Sequence, residues 1–221
     1  MWRASLEAGP ETLARLRALL TDDERGRADR FAFERGRDRF TVARAFLRDV
    51  LARHLGILAD RVRLGIQPAG KPMLEGEHLR FNLSHSGDLA LLALTLDREI
   101  GVDLEADRPL RDACLLEERY FAPGEVATLR SLPASEREAA FLRCWTLKEA
   151  YVKGVGGGLS IPLDGFEVDY TPVRDEPALR ALDPPGATPW TLRTLDPGPG
   201  YVGALAVQCS GWRLERFDWS A

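Results

Sequence analysis

The segment from residue 141 to residue 163, FLRCWTLKEAYVKGVGGGLSIPL, constrains the fold most strongly. Trp145, Glu149 and Lys153 are four residues apart, so a helix places them on one face. The glycine run ends this helix, and Pro162 prevents it from resuming. An acid and an amine one turn apart beside a tryptophan form either a surface ion pair, worth about 0.3 kcal/mol, or part of a site.

Charge is distributed unevenly along the chain. The 221 residues carry a formal net charge of −4 at pH 7, which argues against nucleic acid as a ligand. Nevertheless, nine arginines lie after Glu24, up to and including Arg53. This excess predicts an anionic ligand bound in one place, and the alternative is a pair of solvated, salt-bridged helices.

The cysteines and the N-terminal segment bear on the cellular compartment. Cys114, Cys144 and Cys209 are far apart and form no CxxC motif, which is typical of a reducing cytosol and disfavours a disulfide framework or a zinc site. The first residues lack the apolar core of a signal peptide, and no run reaches membrane-spanning length. We therefore expect a cytoplasmic protein that does not enter a membrane.

Periodicity divides the chain into helical and extended segments. Apolar spacing predicts a long helix from Arg37 to Leu55, ended by Gly56, with Arg44 and Arg48 on its polar face. Alternation and apolar runs predict strands at 62–66, 79–84, 89–96, 100–104, 165–170, 190–195, 201–208 and 212–217. This order predicts an α+β fold of two related halves, residues 1–100 and 101–221.

Two acids occupy alternate positions of the strand predicted at 100–104 and just beyond it. Asp103 and Glu105 project to the same side and repel each other, so a positive partner is expected. Mg²⁺ suits them because it takes hard oxygen ligands from carboxylates and phosphates. Three carboxylates meet if the helix of Glu149 crosses this strand. The alternative, an exposed strand face, is disfavoured by the apolar flank IGVDL.

A polar hairpin tip and a lysine turn lie nearby in the sequence. A single histidine is more often structural, but Ser84, His85 and the following amides are suited to receive a phosphate. Lys71, in the turn GKP, is a second cation near this hairpin. Together with the acids, these residues predict a pyrophosphate-bearing ligand with a further phosphate, and a Mg²⁺ ion.

Five segments in this order resemble the Sfp-type 4′-phosphopantetheinyl transferases: GKP at 70–72, FNLSHSG at 81–87, GVDLE at 101–105, YFAPGE at 120–125 and WTLKEAYVKGVGGGLSIPL at 145–163. Members of this family move the phosphopantetheine arm of coenzyme A to a serine of an apo carrier protein and release 3′,5′-ADP. The resemblance implies two pseudosymmetric α+β halves, with coenzyme A in the cleft between them. The last fifty residues or so contribute little to it.

The resemblance also implies roles for individual residues. Asp103, Glu105 and Glu149 would hold Mg²⁺ against the pyrophosphate, and Lys153 would contact the same phosphates. Glu149 is also the candidate base for the carrier serine, so Glu149 and Lys153 are the predicted catalytic residues. The residues of the first half that are predicted to bind coenzyme A have basic or hydroxyl side chains. They are Arg27, Arg39, Lys71, Ser84 and His85.

The carrier protein, an acidic helical bundle in this family, is predicted by analogy to bind near residues 111–121. The residues of interest there are Arg111, Leu115, Leu116, Arg119, Tyr120 and Phe121. The alternative is that the apolar members of this group belong to the core. We expect a monomeric enzyme.

Two other functions are compatible with parts of the pattern. A coenzyme A-binding module without catalysis would lack one of the three acids or Lys153, and none is missing. A Mg²⁺-dependent phosphohydrolase would use the same carboxylates with water in place of a carrier serine.

Overall fold

A computed structural model describes residues 1–108, 113–170, 179–180 and 189–221. The helices within these ranges are α1 (Pro10–Arg17), α2 (Asp22–Asp29), α3 (Glu34–Leu55), α4 (Ala113–Tyr120), α5 (Pro123–Ser131) and α6 (Ala134–Val155). The strands are β1 (Trp2–Ser5), β2 (Leu64–Ile66), β3 (Pro72–Leu74), β4 (Leu79–Ser86), β5 (Leu89–Leu96), β6 (Ile100–Ala106), β7 (Glu167–Val168), β8 (Leu179–Arg180), β9 (Thr191–Leu195), β10 (Tyr201–Val207) and β11 (Phe217–Trp219). None of the helices in these ranges contains a stretch long and apolar enough to cross a bilayer.

The two longest helices, α3 and α6, have 22 residues each and end in the same way. Gly56 and Gly156 follow them with φ values of 67° and 78°, in the left-handed region that suits a residue without a Cβ. The helix ends predicted at these glycines are confirmed. Helix α3 starts three residues earlier than predicted, at Glu34.

Two main sheets lie side by side in the described part of the chain. The first has the strand order β11-β1-β5-β4, and the second has the order β6-β10-β9. Strand β11 pairs in parallel with β1, so the C-terminal segment joins the sheet of the first half. Of the strand predicted at 212–217, only Phe217 is extended, because pairing with β1 fixes the strand at Phe217–Trp219. The boundary between two halves at residue 100 stays a prediction.

Each sheet is covered by one long helix. Helix α3 packs on the first sheet, where Phe46 contacts Trp219. Helix α6 packs on the second sheet around Leu147, and a third cluster of apolar residues, including Val102, fills the space between the sheets. This arrangement, with helices and sheets around common cores, agrees with the predicted α+β class.

One arginine of α3 is not where the sequence pattern placed it. Arg48 was predicted on the polar face of the helix, but it is only 3% exposed. Its guanidinium pairs with Glu24 and donates hydrogen bonds to the Ala59 and Val62 carbonyls. The prediction for Arg48 is therefore wrong, because the partner that makes its burial favourable lies on α2.

Candidate active site

Strand β6 carries two of the predicted carboxylates into the middle of the molecule. Asp103 is buried, at 3% exposure, and Glu105 is half-buried at the end of the strand. Ile100, Val102 and Leu104 are buried as well, so the apolar flank of the motif is part of the core. Because residues two apart share a face of a strand, the two carboxylates lie on one side of β6.

Helix α6 crosses β6 at close range, and this contact brings Glu149 and Lys153 to the acids. A Cβ added at Gly101 would overlap the Ala150 carbonyl oxygen and the Gly154 amide nitrogen. Only a glycine therefore lets the helix lie this near the strand. Lys153 Nζ is 2.5 Å from Asp103 Oδ1 and, as donor, 3.1 Å from Ser84 Oγ.

The three carboxylates affect one another electrostatically. Burial raises the pKa of Glu105, and the charge of Asp103 raises it further. Burial also raises the pKa of Glu149, with added repulsion from Asp103 and Glu105 and an opposing effect of Lys153. Asp103, Glu105 and Glu149 thus lie within range of mutual repulsion.

One buried carboxylate oxygen in this group lacks a hydrogen-bond partner in the part of the chain that the structure describes. Asp103 Oδ2 is buried and has no hydrogen-bond partner among the described residues. A buried carboxylate oxygen without a partner is costly, and a divalent cation satisfies it. No set of three or more Asp, Glu, His or Cys side chains within the described ranges already encloses a metal position. The donor types fit Mg²⁺, and the Lys153–Asp103 contact accounts for part of the charge balance.

The tip of the β4–β5 hairpin carries Ser84 and His85. Ser84 is buried and donates a hydrogen bond to Asp103 Oδ1 at 3.1 Å. His85 lies at the surface, where partial desolvation and the charges of Lys153 and Arg39 lower the pKa of its imidazole. Two cations therefore lie near this imidazole, and cations at that position suit an anionic ligand.

Arg39 lies at this tip and is held by an acid that the sequence analysis did not consider. Asp88, two residues beyond the end of β4, forms ion pairs with both Arg39 and Arg35. Its backbone amide donates to the Tyr201 hydroxyl at 3.1 Å. Arg39 is thus placed beside His85 by Asp88, and Tyr201 of β10 fixes Asp88 in turn.

Lys71 is buried at the junction of several elements. Its ammonium donates to Glu99 Oε2 at 2.7 Å, to the Ile100 carbonyl at 3.1 Å and to the Gly154 carbonyl at 2.7 Å. The three donors of the ammonium are therefore used within the protein. Lys71 links the turn before β3 to the start of β6 and to the last turn of α6, and its contact with coenzyme A stays a prediction.

Arg27 is exposed on α2, where its guanidinium lies 5.3 Å from the centroid of the Phe40 ring. Arg44, on α3, is close enough for repulsion from Arg27 to help lower its pKa, although burial is the larger cause. Part of the arginine excess is salt-bridged, since Arg44 and Arg48 both pair with Glu24. The structure places Arg27 outside the immediate group around Asp103.

A cleft of about 580 Å³ lies beside these residues. Its lining includes the polar residues Lys71, Asn82, Glu149 and Lys153. The lining also includes a partly apolar group: Arg119, Tyr120, Ile161, Pro162, Leu163 and Asp164. A cleft of this volume accommodates a ligand the size of a nucleotide or of a pantetheine arm.

In the segment predicted to bind the carrier, some side chains belong to the core and others line the cleft. Phe121 is 3% exposed and stacks on Phe141, so it belongs to the core. Tyr120 packs edge-on against Trp145 and lines the cleft together with Arg119. Residue 111 and the side chain of Leu115 lie outside the described part of the chain.

Two polar residues of β4 make contacts with β6 that were not predicted from the sequence. Asn82 accepts a hydrogen bond from the Val102 amide at 2.8 Å, and Ser86 donates to Glu105 at 3.0 Å. The signal available in the sequence was the alternation of Asn82, Ser84 and Ser86, which matches the two-residue spacing of Asp103 and Glu105.

A half-buried acidic group with an adjacent lysine, with further cations near the hairpin tip and a cleft alongside, has the chemistry that suits a phosphate-bearing ligand. Comparisons with known proteins identify its family. Residues 99–206 match the model of the 4′-phosphopantetheinyl transferase superfamily, and residues 2–96 match that of the 4′-phosphopantetheinyl transferase N-terminal region.

Individual relatives agree with these models. The 4′-phosphopantetheinyl transferase HetI of Nostoc sp. is 41% identical over 217 residues, which cover 96% of this chain and 89% of HetI. The 4′-phosphopantetheinyl transferase Sfp of Bacillus subtilis is 27% identical over 194 residues, covering 87% of this chain and 84% of Sfp. A solved holo-[acyl-carrier-protein] synthase of Thermotoga maritima aligns with a TM-score of 0.40 and 19% identity, over 49% of this chain and 61% of that one.

The chain belongs to the 4′-phosphopantetheinyl transferase superfamily. This membership confirms the resemblance drawn from the sequence motifs, the α+β fold and the assignment as a phosphopantetheine-transferring enzyme.

Proposed function

We propose that this enzyme transfers the 4′-phosphopantetheine arm of coenzyme A to a serine of an apo carrier protein, with Mg²⁺ held by Asp103, Glu105 and Glu149. Family membership supports the reaction. The buried Asp103 oxygen without a partner among the described residues, beside two carboxylates with raised pKa values, is the observation that supports the metal site.

The reaction breaks the phosphoanhydride bond of the coenzyme A pyrophosphate and forms a phosphoester with the carrier serine. The serine oxygen forms a bond to the phosphorus that bears the pantetheine arm, and the bond from that phosphorus to 3′,5′-ADP breaks. The serine proton passes to Glu149, which lines the cleft; such general-base help is worth about 10²–10⁴-fold in rate. Lys153 stabilises the charge that develops on the non-bridging oxygens. When bound, Mg²⁺ neutralises the same oxygens and those of the leaving group.

The nucleotide end of coenzyme A lies against the first half of the chain in this proposal. His85 and Arg39 receive the 3′-phosphate end, because both present positive or hydrogen-bonding groups at the hairpin tip. Ser84 contributes through its contacts with Asp103 and Lys153. Lys71 contributes through the turn it anchors, which lines the cleft next to the adenine. Arg27 adds positive charge at longer range.

The carrier serine enters from the partly apolar side of the cleft. Arg119 and Tyr120 lie there, and an arginine at the rim attracts an acidic carrier surface. The identity of the carrier, a monomeric state, a cytoplasmic location and independence from nucleic acids and membranes stay predictions.

Mass spectrometry of an apo carrier protein, incubated with the enzyme, coenzyme A and Mg²⁺, tests the proposal. Transfer adds one phosphopantetheine, a gain of about 340 Da that follows from the chemistry of the cofactor arm. Removal of Mg²⁺ with a chelator is expected to abolish the gain. Cleavage of coenzyme A with an unmodified carrier would instead indicate a phosphohydrolase, and binding without either product would indicate a binding module.

A matched pair of variants locates the metal site. Asp103→Asn is expected to abolish Mg²⁺-dependent transfer because it removes a buried negative ligand. Asp107→Asn makes the same chemical change at an exposed position just beyond β6 and is expected to retain activity. Full activity of Asp103→Asn would remove this residue from the metal site.

A further inference from the structure

Strands β4 and β6 face each other at the boundary between the two sheets. Each is the edge strand of its sheet in the described part of the chain. They are joined through side chains, because Asn82, Ser84 and Ser86 of β4 all point towards β6. These three residues are at alternate positions and therefore occupy one face of the strand.

Each contact satisfies a group of β6. Asn82 Oδ1 accepts from the Val102 amide at 2.8 Å. Ser86 Oγ accepts from the Ala106 amide at 3.0 Å and donates to Glu105 Oε2 at 3.0 Å. The side chains thus pair backbone amides at this edge of β6, which a neighbouring strand would otherwise pair.

The Ser86 hydroxyl has a defined orientation. A hydroxyl group has one proton to donate, and here the Ala106 amide occupies an acceptor position of the oxygen. The proton is therefore directed at Glu105. Ser84 repeats this arrangement, since it accepts from Lys153 and donates to Asp103. Each carboxylate of β6 is held by one serine of β4.

We propose that Ser86 is a positioning residue that fixes the Glu105 carboxylate for metal binding. This inference rests on the metal site proposed above. Glu105 stands at the end of β6 and is half-buried, so without Ser86 its side chain is free to turn towards solvent. Ser84 fixes Asp103 in the same way but also contacts Lys153. Ser86 bonds to Glu105 and to the Ala106 amide, so its replacement leaves the Lys153 contact in place and gives the cleaner test.

The experiment compares Mn²⁺ binding by the full chain in the presence of saturating coenzyme A and without carrier protein. Free Mn²⁺ is followed by electron paramagnetic resonance. Removal of a residue that orients a metal ligand typically weakens metal binding by about 10–100-fold. Ser86→Ala is expected to raise the Kd for Mn²⁺ by about tenfold, and Ser86→Thr, which keeps the hydroxyl, is expected to restore it to within about twofold.

Two controls separate positioning from other roles. Ser131→Ala removes a hydroxyl that donates to the Thr128 carbonyl at 2.7 Å at an exposed position of α5, and it is expected to bind Mn²⁺ as the wild type does. The Kd for coenzyme A, measured without metal, is expected to change by less than about twofold in Ser86→Ala, because Ser86 acts on Glu105. Should Ser86→Ala not fold, Ser86→Cys, which is closer in volume and a weaker donor, replaces it.

Three results would overturn the inference. Mn²⁺ affinity unchanged in Ser86→Ala would show that Glu105 needs no support from Ser86. If Ser86→Ala weakened coenzyme A binding, measured without metal, as much as it weakens Mn²⁺ binding, Ser86 would be a substrate contact. A wild-type protein that binds no Mn²⁺ would overturn the metal site and the role of Ser86 together, and this case is distinguished by transfer activity that does not respond to a chelator.

Discussion

The closest contact in the candidate site, between β6 and α6, gives a quantitative prediction for Gly101→Ala. The added Cβ would overlap the backbone of α6 at Ala150 and Gly154, and backbone cannot rotate away as a side chain does. The helix therefore has to shift relative to the strand. Overpacking of this kind costs about 1–3 kcal/mol. For a chain of this length, that cost corresponds to a fall in Tm of about 2–12 °C.

The same shift is expected to affect catalysis more than stability. Glu149 and Lys153 lie on α6, whereas Asp103 lies on β6, so a displacement of the helix changes every distance between them. A misplacement of about 1 Å costs about 100-fold in rate. We therefore expect kcat/KM for coenzyme A to fall by about 100-fold in Gly101→Ala, while far-UV circular dichroism stays that of the wild type.

The control is Gly26→Ala, at an exposed position of α2 where an added Cβ meets no described atom within 4 Å. It is expected to stabilise the protein by about 0.5–1 kcal/mol, because alanine is the better helix former. Differential scanning calorimetry and a carrier-modification assay are applied to both variants. Wild-type Tm and activity in Gly101→Ala would refute the close strand–helix contact as the device that assembles the site.

Further variants test other contacts. His85→Ala is expected to raise KM for coenzyme A more than KM for dephospho-coenzyme A, and equal losses would contradict a 3′-phosphate role. Lys71→Met leaves two buried carbonyls without their donor, so urea unfolding is expected to show a loss of about 2–4 kcal/mol; an intact stability with a raised KM for coenzyme A would indicate direct contact instead. Burial raises the pKa of Glu24, but hydrogen bonds from Arg48 and the Thr21 amide and the charge of Arg44 outweigh burial and lower it below its ordinary value of 4.5. The stability that Glu24 contributes is therefore present above about pH 4.5 and is lost as the pH falls through the lower folded-state pKa. Glu24→Gln is expected to destabilise the protein more at pH 7 than at pH 3.5, and an equal loss at both pH values would contradict this pairing.

The periodicity of apolar residues was sufficient to predict the long helices and strands. The apolar spacing of α3 and Gly56 gave the C-terminal end of that helix at Leu55, the glycine run placed the end of α6 to within two residues, and β5 has the predicted bounds, Leu89–Leu96. Short strands with distant partners were not predictable in this way. Strand β1 has four residues, and its partners lie on β5 and on β11 near the opposite end of the chain. Its extended conformation depends on that pairing and not on a pattern of its own.

In the candidate site, too, some features were predictable from residue spacing and others depend on tertiary contacts. The spacing of Asp103 and Glu105, and of Glu149 and Lys153, placed each pair on one face of a strand or helix, and the contact between α6 and β6 brings the pairs together. The direction of a long side chain is a tertiary property. Lys71 turns into the protein because Glu99 and two carbonyls accept from it, and nothing in the motif GKP shows where those acceptors lie.

The hydrogen bonds between β4 and β6 could also not be predicted from the sequence. The serines at 84 and 86 flank His85, which suggested a phosphate-binding tip. Their hydroxyls instead contact the carboxylates of β6, because β4 lies beside β6 at a register that no local pattern specifies. The alternation of polar residues in both strands indicates paired faces, but it does not identify the partner strand.

Anomalous diffraction from crystals of the protein grown with Mn²⁺ and coenzyme A would locate the metal ion without reliance on an activity assay. We expect a single strong peak among the carboxylates of Asp103, Glu105 and Glu149, in contact with the pyrophosphate. A peak elsewhere, or coenzyme A bound with Glu149 turned away from the other two acids and no ion between them, would contradict this expectation.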